Sequence, residues 1–310
     1  MLWSTNKVSA LTVVWCCLAT ALSVTAGHQS AATSAVQAAI DIPFEFKTRQ
    51  PIVPVSVNGG PAVPFVVDTG ASIHVVDREI ARAANAAKGT AVQMSGGGQS
   101  AVDAQFVDGV TFSAAGRSWQ GQRAAIASLG YPDKKHFAGL LGAPILMRYT
   151  IRFAFETRTM RLLDPSTYTP PSGATLVPFE LQESLPIVRV ILDAGGGPVE
   201  ARLMVDTGAS TFIDLNRPFV EAHRLVEIMP GATSADRPAA LGGTAPFLYA
   251  TARRVTFGGI VFDQPRLGLS RALTGSSSRS ERDGIIGNDL LQQFIMTVDY
   301  SRRTLVLERP

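Results

Sequence analysis

The pentapeptide Asp68-Thr69-Gly70-Ala71-Ser72 recurs as Asp206-Thr207-Gly208-Ala209-Ser210, a spacing of 138 residues (206 − 68 = 138). Each copy follows an apolar run, Pro64-Phe65-Val66-Val67 in the first and Ala201-Arg202-Leu203-Met204-Val205 in the second. A carboxylate at the end of a buried strand is costly unless the fold supplies partners, so two of them on duplicated scaffolds are expected to meet. Two carboxylates in contact cannot both stay ionised: repulsion lifts one pKa, and the pair shares a proton and titrates as a unit. The ionised member can take a proton from a water between them while the protonated member polarises a carbonyl, and the water then attacks an amide. This chemistry requires no metal, thiol or serine, and no cofactor is assigned. Around the acids, Thr69 and Thr207 could hydrogen-bond across a lobe interface. Gly70 and Gly208 allow a tight turn that aims backbone N–H groups at the carboxylate. Ser72 and Ser210 could reach the outer carboxylate oxygens, whereas Ala71 and Ala209 offer no hydroxyl.

The elements that must position these residues are short strands. From Ile42 onward apolar runs alternate with Gly, Pro and Asn turns. Asn58-Gly59-Gly60 between Ile52–Val57 and Val63–Val67 is a hairpin signal. Arg78 to Ala87 has helical spacing. Gly96-Gly97-Gly98 reads as the tip of another hairpin, and further strands are expected over 106–112, 119–127 and 151–163. The proline-rich stretch from Pro165 to Ser172 reads as a linker, after which the pattern restarts: Leu185-Pro186-Ile187-Val188 resembles Gln50-Pro51-Ile52-Val53, and Asp193-Ala194-Gly195-Gly196-Gly197 takes the turn position. The ends repeat too. Gly139-Leu140-Leu141-Gly142 corresponds to Gly284-Ile285-Ile286-Gly287, and the halves then run in register to Arg158-Thr159 and Arg303-Thr304. Strands dominate, so the class is all-β, and a two-fold internal duplication implies two similar lobes facing each other. The expected division is 1–26 signal segment, 27–41 flexible lead-in, 42–164 first lobe, 165–177 linker and 178–310 second lobe.

The chain has 310 residues, 46% of them apolar, and a formal charge of +3. Its Lys and Arg residues are scattered, which excludes a basic nucleic-acid-binding face; Arg253-Arg254 and Arg302-Arg303 read as solvated strand ends. The first 26 residues read as an export signal: Lys7, an apolar stretch from Val8 to about Leu22, then Val24-Thr25-Ala26. The stretch is short for a membrane span, and an uncleaved anchor is the lesser alternative. Export to a periplasm or the exterior is therefore expected, with no stable membrane association after cleavage. Cys16 and Cys17 both lie in this segment, so a mature chain starting near Gly27 contains no cysteine.

Two copies of Asp-Thr-Gly-Ala-Ser, each with a downstream Gly-Leu-Leu-Gly or Gly-Ile-Ile-Gly, resemble the aspartic peptidase family, which includes two-lobed pepsins and retropepsins that dimerise from single lobes. The resemblance covers roughly residues 43–309. It implies that Asp68 and Asp206 are the catalytic pair, that Thr69 and Thr207 interlock their loops, and that Leu140-Leu141-Gly142 and Ile285-Ile286-Gly287 pass behind those loops. Asn288-Asp289-Leu290-Leu291 resembles the short helix that retropepsins place there. Pepsins usually carry Ser or Thr at the positions of Ala71 and Ala209, a Tyr-bearing single flap, and disulfides. Here each half has its own glycine-rich candidate flap, Gly96-Gly97-Gly98 and Leu241-Gly242-Gly243-Thr244. The chain thus resembles a single-chain fusion of two retropepsin-like lobes, bilobal β-barrels with few short helices and the active site between them. Fewer hydroxyl donors at the dyad imply pKa values above those of a pepsin and activity reaching weakly acidic or near-neutral pH.

The expected function is an exported aspartic endopeptidase acting on polypeptides, a monomer built as an intramolecular pseudo-dimer. A catalytically silent peptide-binding module on the same scaffold is the rival reading. Ser72 and Ser210 lack the Gly-x-Ser-x-Gly context of a nucleophile. Gly96-x-Gly98-x-x-Ala101 lies between strands, unlike a dinucleotide fingerprint. His28, His74, His136 and His223 lack metal-ligand spacing. Gly275-Ser276-Ser277-Ser278 reads as a solvated loop, and Asp77 and Asp214 read as surface-turn or helix-cap residues.

Overall fold

In the first half every strand up to Val67 feeds the loop of Asp68. The computed structural model describes residues 39–86, 88–130 and 137–310. The expected signal segment with its two cysteines, the expected lead-in up to residue 38, His28, Ala87 and His136 lie outside the described residues. β1 (Ile40–Pro43) and β2 (Glu45–Lys47) lead into β3 (Gln50–Val57), which turns through Asn58 and Gly59, both at positive φ, into β4 (Ala62–Val67). Two successive left-handed residues are what a two-residue hairpin turn demands. β5 (His74–Asp77) follows the Asp68 loop and ends at α1 (Arg78–Ala83), capped where the Asp77 side chain accepts from Glu79 N–H at 3.0 Å. β6 (Thr90–Met94), β7 (Val102–Ala114) and β8 (Arg117–Ala127) form a meander, and β9 (Gly139–Leu141) leads to α2 (Ala143–Leu146). β10 (Thr150–Ala154) and β11 (Thr159–Leu163) close the half. The run expected as one strand over 151–163 is a hairpin, with Arg158 at φ 52° in its turn.

The second half repeats this plan with β12 (Thr175–Pro178), β13 (Glu180–Gln182), β14 (Leu185–Asp193), β15 (Pro198–Val205) and β16 (Ile213–Leu215), then α3 (Arg217–Ala222) and α4 (Leu225–Ile228). β17 (Thr233–Pro238), β18 (Thr244–Thr251), β19 (Arg254–Phe257), β20 (Ile260–Asp263) and β21 (Arg266–Ser270) follow. β22 (Gly284–Ile286), α5 (Asn288–Leu291), β23 (Ile295–Asp299) and β24 (Thr304–Glu308) complete it. β1 begins at Ile40, within the expected lead-in, because Ile40 and Ile42 are buried against the shared sheet described next. β12 likewise takes up the last residues of the expected linker.

Three sheets result. One runs β2-β3-β4-β9-β5-β8-β7-β6, and its counterpart in the second half holds β13 through β22. The third belongs to both halves, in the order β1-β11-β10-β23-β24-β12. Its centre is the antiparallel β10–β23 pair, with Arg152 opposite Thr297. These two are equivalent positions of the duplication (297 − 152 = 145, the same offset as Gly139 to Gly284), so the pseudo-two-fold axis passes between them. The central strands are apolar on both faces, as covered sheets require: Val66, Val67, Leu203 and Val205 are at most 1% exposed. The glycines that open β9 and β22 permit close crossing. A Cβ on Gly139 would stand 2.2 Å from the Phe65 ring, and one on Gly284 2.1 Å from Asp214 O. Among the described residues no helix is long and apolar enough to cross a membrane.

Candidate active site

The two Asp-Thr-Gly loops meet at the pseudo-two-fold axis. β4 runs parallel to β9 and β15 parallel to β22, so each Asp leaves its strand held by the strand behind it. Asp68 N donates to Leu141 O at 3.0 Å and Asp206 N to Ile286 O at 2.9 Å. The threonines interlock reciprocally. Thr69 N donates to Thr207 Oγ1 at 3.1 Å and Thr207 N to Thr69 Oγ1 at 3.0 Å, while each hydroxyl donates across the interface at 2.7 Å, Thr69 to Val205 O and Thr207 to Val67 O. All four bonds are buried, where leaving any one group unpaired costs about 1–3 kcal/mol, so the loops are fixed as one unit.

The glycines bring the carboxyls together. A Cβ on Gly70 would lie 2.5 Å from Asp206 Cγ, and one on Gly208 2.5 Å from Asp68 Cγ. Each carboxyl also accepts from its own loop, Gly70 N to Asp68 Oδ1 and Gly208 N to Asp206 Oδ1, both at 2.8 Å. Ser72 is exposed and Ser210 half-buried; neither hydroxyl bonds a dyad carboxylate among the described residues. The acids are not equivalent. Burial, and then the charge of Asp206, push the Asp68 carboxyl well above the usual carboxylate range. Burial raises Asp206 as well, but the hydrogen bond with Asp68, the Gly208 N–H and the guanidiniums of Arg282 and Arg237 oppose it. The two buried acids therefore share one proton and titrate as a pair, with the guanidiniums acting on the Asp206 side of it.

The glycine tips face each other. β6 and β7 enclose residues 95–101, and β17 and β18 enclose 239–243. Gly98 N donates to Leu241 O at 2.9 Å, Ser100 N to Gly242 O at 2.9 Å and Gln99 N to Thr244 O at 3.1 Å. Ala240 and Leu241 of the second tip pack into a cluster with Ile52, Leu140 and Ala71, on the floor beside Asp68. The contact is close enough that a Cβ on Gly96 would stand 2.4 Å from Leu241 Cβ, while Gly97 faces Ala239 Cβ and Gly243 meets nothing. The segment Gly275-Ser276-Ser277-Ser278, expected to be a solvated connection, instead forms a 3-10 turn against the first tip, with Ser276 N donating to Gly96 O at 3.0 Å.

Several contacts at the site were not foreseen from the sequence, where Asn288 and Asp289 stood only as part of a short helix. Asn288 Nδ2 donates to Thr207 O and to Arg49 O, both at 2.7 Å, Gln50 Nε2 donates to Gly208 O, and Arg49 pairs with Asp289 at 2.6 Å. These contacts clamp the second loop from the first half. Asp77 caps α1 as expected, but Asp214 is neither at the surface nor a cap. It is 3% exposed in β16, accepts from Thr211 Oγ1 at 2.7 Å and pairs with Arg237. The second half carries one extra residue after Ser210, so Asn216 takes the cap position before α3 and Asp214 slides into the strand.

The family described as aspartyl protease matches residues 53–145, within the first half. The crystal structure of an aspartic proteinase from Irpex lacteus superposes with a TM-score of 0.56 at 15% identity, covering 88% of this chain and 97% of that one. No curated relative matches. The chain thus has the bilobal fold of an aspartic peptidase, with an aspartyl protease match in its first lobe.

Proposed function

We propose that this protein is an aspartic endopeptidase that hydrolyses peptide bonds with a water activated between Asp68 and Asp206. The observation that carries the proposal is the mutual approach of the two loops, in which each glycine leaves room for the other loop's carboxyl. A structural Asp has no use for that arrangement, because pressing two buried acids together destabilises the fold unless a proton is shared. Asp206, ionised, accepts a proton from the water. Asp68, protonated, donates to the oxygen of the scissile carbonyl. The hydroxide adds to the carbonyl carbon; as the carbon–nitrogen bond breaks, the nitrogen leaves with the proton that Asp206 took up, and the carbonyl re-forms by returning a hydroxyl proton to Asp68, which restores the dyad. Thr69, Gly70, Thr207 and Gly208 hold the geometry. The tips at Gly96, Gly97, Gly98, Gly242 and Gly243 act as flaps over an extended peptide bound by strand-like hydrogen bonds.

The same reading makes the chain an exported monomer, its signal segment removed near Ala26; N-terminal sequencing and sizing of the secreted protein test this. The decisive test incubates the protein with a diverse peptide library across pH, beside Asp68→Asn and Asp206→Asn. Cleavage lost in both variants supports the dyad, and cleavage surviving in either removes it. Binding of peptides with no cleavage at any pH would assign a binding module.

A further inference from the structure

The sheet registers allow the walls of the two lobes to be compared position by position. β5 and β16 pair with β9 and β22 so that Val75 faces Leu140 and Asp214 faces Ile285, which makes Val75 and Asp214 equivalent. Thr90 faces Phe106 and Thr233 faces Tyr249, an offset of 143 (233 − 90 = 143) that holds to the ends of the hairpins, so Met94 corresponds to Arg237. Two residues before Gly139 stands Phe137, and two before Gly284 stands Arg282. At these three positions the first lobe is apolar. Val75, Met94 and Phe137 knit floor and flap into one cluster with Ile52, Val66, Phe106 and Leu140. In the second lobe the equivalent surface falls into two separate clusters, one around Ile187 and Met204, the other around Phe247 and Ala272. Asp214, Arg237 and Arg282 take the places that bridged them.

Two of these charges satisfy each other, since Arg237 pairs with Asp214 and lies over the Phe247 ring at 4.6 Å. Arg282 has no such partner. It is half-buried, its Nε is buried without a hydrogen-bond partner, and no carboxylate lies within ion-pair distance of it among the described residues. Its guanidinium acts on Asp206, while Glu183 and Glu281 act on it only more weakly, and burial lowers its pKa below that of a free arginine. A desolvated guanidinium with an unmet donor beside the reacting acids is a site for a carboxylate.

We propose that Arg282 is a specificity-determining residue: it receives an acidic side chain, Asp or Glu, of a polypeptide substrate on the second-lobe side of the scissile bond, while the Phe137 wall of the first lobe receives an apolar side chain on the other side. The proposal rests on the peptidase reading, and its test has an arm independent of cleavage. In the first arm, library cleavage by the wild type shows Asp or Glu enriched on one side of the cut bond and apolar residues on the other, and Arg282→Leu loses the acidic enrichment alone. In the second arm, calorimetry follows uncleavable reduced-amide peptides that differ only in Glu against Gln at that position. The Glu peptide binds the wild type about 10- to 100-fold tighter, the range for a hydrogen bond to a charged group. Arg282→Leu abolishes the difference, and Arg282→Lys keeps part of it. The preference weakens in high salt and at about pH 3.5, where the Glu of the peptide is protonated. Affinity indifferent to the Glu-to-Gln exchange overturns the proposal, as does a preference that persists in Arg282→Leu. A pH–rate profile shifted in Arg282→Leu with unchanged substrate preference also overturns it, by assigning Arg282 to tuning Asp206. Cleavage without acidic enrichment refutes this proposal and leaves the peptidase reading standing, whereas absence of all cleavage refutes that reading.

Discussion

At the residue scale, the dyad and His74 pull the stability of the fold in opposite directions with pH. The folded state raises the pKa of Asp68, so it binds that proton more tightly than the unfolded chain does. This stabilising contribution is complete in acid and is lost as pH rises through the folded value. Asp68→Asn removes the cost of ionising a buried pair. The variant is expected to be inactive yet to melt at least about 2 °C higher at pH 7, the gain vanishing near pH 3; thermal melts at the two values check it, and a lower melting point at pH 7 refutes it. His74 is fully buried, and its Nδ1 accepts from Gly142 N–H at 3.0 Å. Burial lowers its pKa from 6.5 to about 4. Here the unfolded chain holds the proton more tightly, so stability is present above pH 6.5 and falls as pH drops toward 4, by roughly 3 kcal/mol in all. His74→Gln, whose amide oxygen can accept the same N–H, is expected to flatten that slope in urea titrations, and an unchanged slope would count against this role. The acids themselves were legible from the duplicated pentapeptide. Arg282 and Arg237 were not, because a single arginine carries no pattern until its lobe is aligned with the other.

At the element scale, the two glycine tips are joined into one unit. Gly98 and Leu241 are equivalent positions (241 − 98 = 143, the offset that also relates Thr90 to Thr233), so the tips touch on the pseudo-two-fold axis itself, backbone to backbone. A Cβ on Gly98 would stand 2.2 Å from the Gly242 carbonyl carbon. Gly98→Val is therefore expected to hold the tips apart and lower kcat/KM at least about tenfold. Unchanged kcat/KM would show that the tips do not gate the substrate. Hairpins, turns and the helix after β5 were readable because their signals are local: Asn58-Gly59, the glycine triplet, the spacing after Asp77. The split of 151–163 into β10 and β11 was missed because Arg158, not glycine or asparagine, occupies the left-handed turn position. The burial of Asp214 was missed because one extra residue moved it from the end of a strand to its interior, and short strands tolerate such a shift without a change of composition.

At the scale of the whole molecule, the halves meet at three places along one axis: the flap tips, the interlocked threonines and the β10–β23 seam. The duplication announced two lobes, but the shared six-stranded sheet was not readable, since three of its five pairings join residues more than a hundred positions apart and the central β10–β23 pair forms only once the halves have docked. The seam also sets what each half can do by itself. Each half brings three strands to the sheet, so a nick in the loop between Asp164 and Ala174 leaves both fragments whole. Arg152 crosses the seam to Glu308 at 3.2 Å, yet the position equivalent to Glu308 in the first half is Leu163 (308 − 163 = 145). Two first halves docked on each other would set Arg152 against its own copy with no counterion on either side. Fragments divided at that loop are thus expected to recombine as unlike pairs, and the first-half fragment to refuse self-pairing, as sizing of that fragment alone and of the mixture would reveal. The two-fold symmetry survives in the backbone, while one arginine and its glutamate make the two faces of the seam unlike.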